Sequence, residues 1–211
     1  MRKTRTLGLV FGLMVSAGIS VATADGKFEP LFNGKNLDGW EVTDFAGGGA
    51  IKVKDGEIHM AMGELISGIN LAHENIPRTN YELEAEAMKL DGNDFFCGLT
   101  FPVGDTFASF IPGGWGGTVV GLSSIDGMDA AENETATFKQ FKTHQWYHFR
   151  VRVTPGKIQC WVDDEMVVDL LLEDRGIALR PGPIELSVPI GITSFQTVTR
   201  IRNIQLQPIQ P

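Results

Sequence analysis

The sequence predicts an all-β protein, a jelly-roll β-sandwich of two antiparallel sheets, and three observations carry that expectation. From Ile51 onward apolar and polar residues alternate at period two. Turn residues break the alternation about every eight to twelve positions, and no stretch of useful length keeps a helical period. Gly and Pro fall between the alternating runs, where turns need them, and none of their clusters reads as a linker. The sheets therefore belong to one domain.

The opening, MRKTRTLGLVFGLMVSAGISVATADG, has the layout of a signal peptide over residues 1–24. Arg2, Lys3 and Arg5 precede an apolar run from Leu7 to Val21, and Ala22-Thr23-Ala24 supplies the small residues for cleavage after Ala24. Gly12, Ser16, Gly18 and Ser20 interrupt the run, which is shorter than the roughly 20 residues of a spanning helix. The expectation is a single domain over residues 25–211, exported to the periplasm or the exterior and not inserted in a membrane once the leader is cleaved. Removing the leader takes three of the 18 Lys and Arg and none of the 26 Asp and Glu, so the formal charge falls from −8 to −11. An acidic surface without a basic cluster repels phosphate backbones, and nucleic acid is not an expected partner.

IKVKDGEIHMAM (Ile51–Met62) reads as a hairpin, because Asp55-Gly56 tolerates the positive φ angles of a type I′ turn. YELEAEAMKL places Tyr81, Leu83, Ala85 and Ala87 on one face and Glu82, Glu84 and Glu86 on the other. WYHFRVRVTPGKIQCWVDDEMVVDL (Trp146–Leu170) reads as three strands joined at Pro155-Gly156 and Asp163-Asp164. VTRIRNIQLQPI (Val198–Ile209) alternates again and should pair back into a sheet. Trp40, Trp146 and Trp161 lie on or at the start of such strands and are expected to be buried. Cys97 and Cys160 sit in apolar runs, so a disulfide and two buried free thiols both remain open.

Candidate binding residues gather in GGWGGTVVGLSSIDGMDAAENET, Gly113 to Thr135. Four glycines around Trp115 bare the backbone for close approach of a strand or a flat ligand. Trp115 is then either a platform for the apolar face of a sugar, with Asp126 and Asn133 as polar substrate contacts, or an indole packed in the core. Asp126, Asp129 and Glu132 offer oxygen ligands to a divalent cation such as calcium, although the run lacks the EF-hand pattern. Acid-rich loops are also commonly just solvated. Asn133-Glu134-Thr135 fits a glycosylation acceptor in a host that glycosylates. Glu82, Glu84 and Glu86 are about 7 Å apart between neighbours, a spacing that suits glycosidase carboxylates and equally a solvated sheet face. The four histidines are scattered, and no serine elbow or phosphate loop occurs.

Five segments fall in the order and spacing of one family: LFNGKNLDGW (Leu31–Trp40), IKVKDGEIHM, HQWYHFRVRVTPGKIQCWVDDEMVVDL, GPIELS (Gly182–Ser187) and RIRNIQLQPI (Arg200–Ile209). Over Phe28 to Ile209 the chain resembles the 3-keto-disaccharide hydrolase domain family. The resemblance implies a concanavalin-A-like jelly roll with a carbohydrate substrate or ligand. It also implies a chemistry, eliminative cleavage of a 3-keto-glycoside or hydration of the resulting enone. The C3 ketone acidifies the C2 proton, a general base removes it, and the enolate expels the C1 oxygen. Glu86 matches a family Glu, and the resemblance gives it the role of that catalytic base. The chain departs from the family where Phe96 stands for Asn, Pro102 for Arg and Ser187 for Gln, and where GTVVGLSSID lacks a Glu-x-Gln. Those departures set a non-catalytic, lectin-like glycan-binding module beside the enzyme as the alternative, and a ligand-free domain of the cell envelope as a third.

Overall fold

The computed structural model describes residues 27–210, so the leader expected over residues 1–24 and its cleavage point lie outside the described residues. Fifteen strands form among them: β1 (Glu29–Pro30), β2 (Trp40–Val42), β3 (Ile51–Lys54), β4 (Glu57–Met60), β5 (Ile66–Leu71), β6 (Tyr81–Gly92), β7 (Gly98–Val103), β8 (Thr106–Gly113), β9 (Val119–Ser123), β10 (Thr137–Phe138), β11 (Trp146–Val153), β12 (Lys157–Val162), β13 (Glu165–Leu171), β14 (Gly191–Phe195) and β15 (Thr197–Pro208). One sheet runs β13-β12-β11-β6-β15-β4-β3, with β1 also on β15; the other runs β10-β9-β8-β7-β14-β5-β2. Two antiparallel sheets stacked face to face make the jelly roll that the alternation predicts.

Local chemistry sets the strand ends. Asp55 and Gly56 both take positive φ, 56° and 80°, which matches the strand twist and pairs Lys54 with Glu57. Asp163 turns the chain between β12 and β13 at φ 55°, and its carboxylate accepts a hydrogen bond from the His148 N–H at 2.9 Å. On β6 the predicted inner face is fully buried: Tyr81, Leu83, Ala85 and Ala87 are each 0% exposed. Tyr81 reaches across the sandwich and donates its hydroxyl to the Pro102 carbonyl at 2.6 Å. Burial pushes that phenol well above its ordinary pKa.

The middle of the core is aromatic. Phe149 from β11 and Phe110 from β8 meet across the two sheets at 6.4 Å between centroids. Phe96 and Phe141 pack beside them edge to face, with Tyr147 against Phe141 at 5.0 Å. Cys97 and Cys160 are buried and free, and burial raises both thiol pKa values.

Of the three tryptophans expected inside, only Trp40 is buried, with its indole N–H on the Leu31 carbonyl at 2.8 Å. Trp146 and Trp161 lie on the outer face of their sheet and are partly exposed. The strict alternation explains this, because Tyr147, Phe149, Cys160 and Val162 take the inward positions of the same strands. The outward indoles are covered by guanidinium groups instead: Arg202 lies 3.9 Å over Trp146, and Arg150 lies 4.1 Å over Trp161.

Candidate functional site

A cleft lies on the outer face of the β7-β8-β9 sheet. Leu99, Phe101, Ala108, Phe110 and Leu122 point into the core, so Thr100, Ser109 and Ser123 point outward, and strand register sets them side by side. A 3-10 turn, Pro183–Ser187, crosses part of this face. Ser187 binds Thr100 at 2.7 Å, and Thr100 binds Ser109 at 3.0 Å. Gly191 permits this approach, since a Cβ there would stand 2.2 Å from the Ser187 carbonyl oxygen. Beside the turn two compartments open, of about 270 Å³ and 200 Å³, sharing Phe95, Trp115, Arg180 and Phe195.

Trp115 owes its place to the glycines flanking it. Gly113 (φ 82°), Trp115 itself (φ 48°, ψ 55°) and Gly116 (φ 86°, ψ 18°) all occupy the left-handed region. Glycine enters that region freely, whereas a bulky residue does so rarely and at sites with a special demand. Asp94 ties the turn down: one carboxylate oxygen accepts the Phe95 N–H at 2.8 Å and the other the Gly116 N–H at 3.2 Å. The indole is left 39% exposed against the cleft.

The acidic loop that follows is knitted into the fold. Asn133 is 5% exposed, donates to the carbonyls of Leu122, Met128 and Asp129, and accepts from the Thr135 N–H and hydroxyl. That leaves its amide to the loop and not to a substrate or a glycan. Asp126 accepts the Gly176 N–H and pairs with Arg175, both at 2.7 Å, and these bonds hold its carboxyl below the usual range. Arg175 also binds Glu134. Asp129 accepts from the Ser123 hydroxyl at 3.4 Å and pairs with Arg180 at 3.3 Å, which positions Arg180 at the cleft. Asp126, Asp129 and Glu132 do not converge, and among the described residues no three His, Cys, Asp or Glu side chains are disposed to hold a metal.

Glu86 stands on the outer face of the other sheet, on the opposite side of the sandwich from Trp115. The row it belongs to is not freely solvated. Glu82 and Glu84 are 5% and 8% exposed; Arg152 binds Glu82 at 2.6 Å, and Gln205 and His148 bind Glu84 at 2.8 and 3.3 Å. A bulge in β15, with Asn203 at φ 51°, turns two consecutive side chains toward Glu86. Arg202 donates to one oxygen at 2.8 Å and Asn203 to the other at 2.7 Å, while Ile204 enters the core. The Arg-Asn-Ile run thus has a structural use, as the clamp of Glu86.

Burial alone would raise the Glu86 pKa, but the hydrogen bonds from Asn203 and Arg202 outweigh it and lower the value. A lowered folded pKa contributes stability above the unfolded value of about 4.3 and loses it as pH falls through the folded one. Glu86→Gln is therefore expected to be less stable than the native chain at pH 7 and by a smaller margin at pH 4, below the unfolded value. Urea unfolding at both pH values checks this; a gap that persists undiminished at the lower pH contradicts the clamp.

The structure thus brings Trp115 to a cleft, but places Asp126 and Asn133 in loop contacts and Glu86 on the far face. Phe95, Phe195, Arg180 and Asp94 complete the cleft, and period-two alternation could not reveal them because they lie in loops or at strand ends. Of the departures from the family pattern, Phe96 lies in the aromatic core, whereas two others lie on the cleft's sheet or against it. Pro102 has outward parity on β7, and Ser187 bonds directly to Thr100.

Residues 27–207 match the 3-keto-alpha-glucoside-1,2-lyase-like domain family. No curated protein matches the chain in sequence. Among solved structures, the chain is similar to a Parabacteroides distasonis protein provisionally named a glycosyl hydrolase, at 14% identity and TM-score 0.56, over 87% of this chain and 94% of that one. A Bacillus licheniformis β-glucanase gives 9% identity and TM-score 0.54, over 89% and 100%. A β-1,3-1,4-glucanase from a mouse hindgut metagenome gives 13% and 0.53, over 87% and 99%. Identities this low establish the shared jelly roll.

Proposed function

The chain belongs to the 3-keto-alpha-glucoside-1,2-lyase-like domain family, and from that premise we propose that it binds a saccharide in the Trp115 cleft as an exported carbohydrate-binding domain. The observation that carries this is the outer compartment, where a half-exposed indole stands beside Asp94 and Arg180. A ring face with polar groups at its edge suits a sugar, which has an apolar C–H face and a polar rim. The signal-peptide layout predicted for residues 1–24 supports export.

Elimination from a 3-keto-glycoside is the second reading, favoured by family membership and by Asp94, the one carboxylate lining the outer compartment. It needs a base within about 3 Å of the C2 proton. Asp94 already accepts two backbone N–H bonds, and the larger compartment is lined by no carboxylate or imidazole. These features favour binding over turnover.

Trp115→Ala is expected to weaken saccharide binding about tenfold through lost ring contact, as measured by calorimetry. Unchanged affinity would remove the cleft as the site. In parallel, incubation with 3-keto-glucosides is expected to leave them intact; release of the aglycone would establish the second reading in its place.

A further inference from the structure

We propose that the ligand of this cleft is a glycoside with an apolar aglycone, the sugar in the outer compartment and the aglycone in the inner one; this rests on the saccharide reading above. The two compartments differ in chemistry. The outer has Asp94 and Arg180 beside the indole. The inner is walled by Leu65, Ile66, Ile111, Pro181, Pro183 and Ile184.

A sugar ring carries a hydroxyl on most of its carbons, and each one buried without a partner is destabilising. The inner compartment has few polar partners to spare for such a ring. Its two hydroxyl side chains are already engaged, Ser109 with Thr100 at 3.0 Å and Ser123 with Asp129 at 3.4 Å. Its one cation, Arg180, engages Asp129 through Nε and borders the outer compartment too, where its remaining N–H donors can serve the sugar. What remains is an apolar surface, and an aryl or branched alkyl group gains by leaving water for it. Size agrees, since a cavity of about 150 Å³ admits benzene and this one measures about 270 Å³. The Arg180–Asp129 pair is neutral overall and asks for no charge on the aglycone. Phe95, Trp115, Arg180 and Phe195 border both compartments, so a single molecule can pass from one to the other across the glycosidic bond.

Calorimetry on the full chain tests the proposal with methyl and 4-nitrophenyl glycosides of glucose, galactose and xylose, and with free 4-nitrophenol. The best nitrophenyl glycoside should bind about tenfold or more tightly than its methyl counterpart, and more tightly than free nitrophenol. Leu65→Asp, at a position 50% exposed and so tolerant of charge, should erase the nitrophenyl preference. Equal affinity for methyl and nitrophenyl glycosides overturns the aglycone assignment while sparing the saccharide site. Nitrophenol binding as tightly as its glycosides, or no binding by any probe, overturns both.

Discussion

Phe149→Ala is expected to lower the free energy of unfolding by about 3–5 kcal/mol, the range for a large aromatic removed from a packed core. The ring is 0% exposed and stands at the centre of the sandwich. Phe96 lies 5.6 Å away, Phe141 6.2 Å, and Phe110 of the opposite sheet 6.4 Å. Removing it leaves a void that neither sheet can close, because each side is fixed by its own strand pairings. With typical domains stable by only about 5–15 kcal/mol, this is a large share. The denaturation midpoint should fall at unchanged slope. Phe138→Ala, at a ring 75% exposed, should be nearly silent, and equal effects of the two substitutions would show that the aromatic cluster is not the keystone described.

Asn133→Ala is the second large loss, expected at about 3 kcal/mol because several buried backbone groups lose a partner together. Its amide nitrogen serves three carbonyls and its oxygen two donors on Thr135, while the Thr135 hydroxyl in turn receives the Leu122 N–H at 2.8 Å. The effect should reach the cleft. The loop carries Asp129, and Asp129 holds Arg180, so saccharide affinity should fall along with stability. A variant that keeps its denaturation midpoint would show that water replaces the amide without loss.

The fold was legible because the core is written at period two. Leu83, Ala85 and Ala87 could be assigned inward from spacing alone, and Asp55-Gly56 announced its turn through backbone preference. The same alternation was misjudged at Trp146 and Trp161, where residue type suggested burial and parity dictated exposure. Arginines on other strands of the same sheet made that exposure tolerable, and pairing across strands is invisible in a single sequence. The candidate site was half legible. Glycines marked Trp115 because only they can surround it in left-handed backbone. Arg180 and Asp94 gave no local signal, since their meaning depends on loops brought together by the two sheets. Asn133 and Asp126 looked like ligand groups because loop-bracing and ligand-binding side chains share one chemistry.

The placement of β15 bears on how the domain comes into being. It is the last strand among the described residues, yet it lies in the middle of its sheet, between β6 and β4, and the Glu86–Asn203 bond spans 117 residues. On the ribosome, the β13-β12-β11-β6 and β4-β3 pieces therefore emerge as separate ribbons, each with an open edge where β15 belongs. Vectorial synthesis cannot close this sandwich stage by stage. The nascent chain must keep two unpaired edges from sticking to other chains until β15 has been made, and then zip both in one late, long-range step.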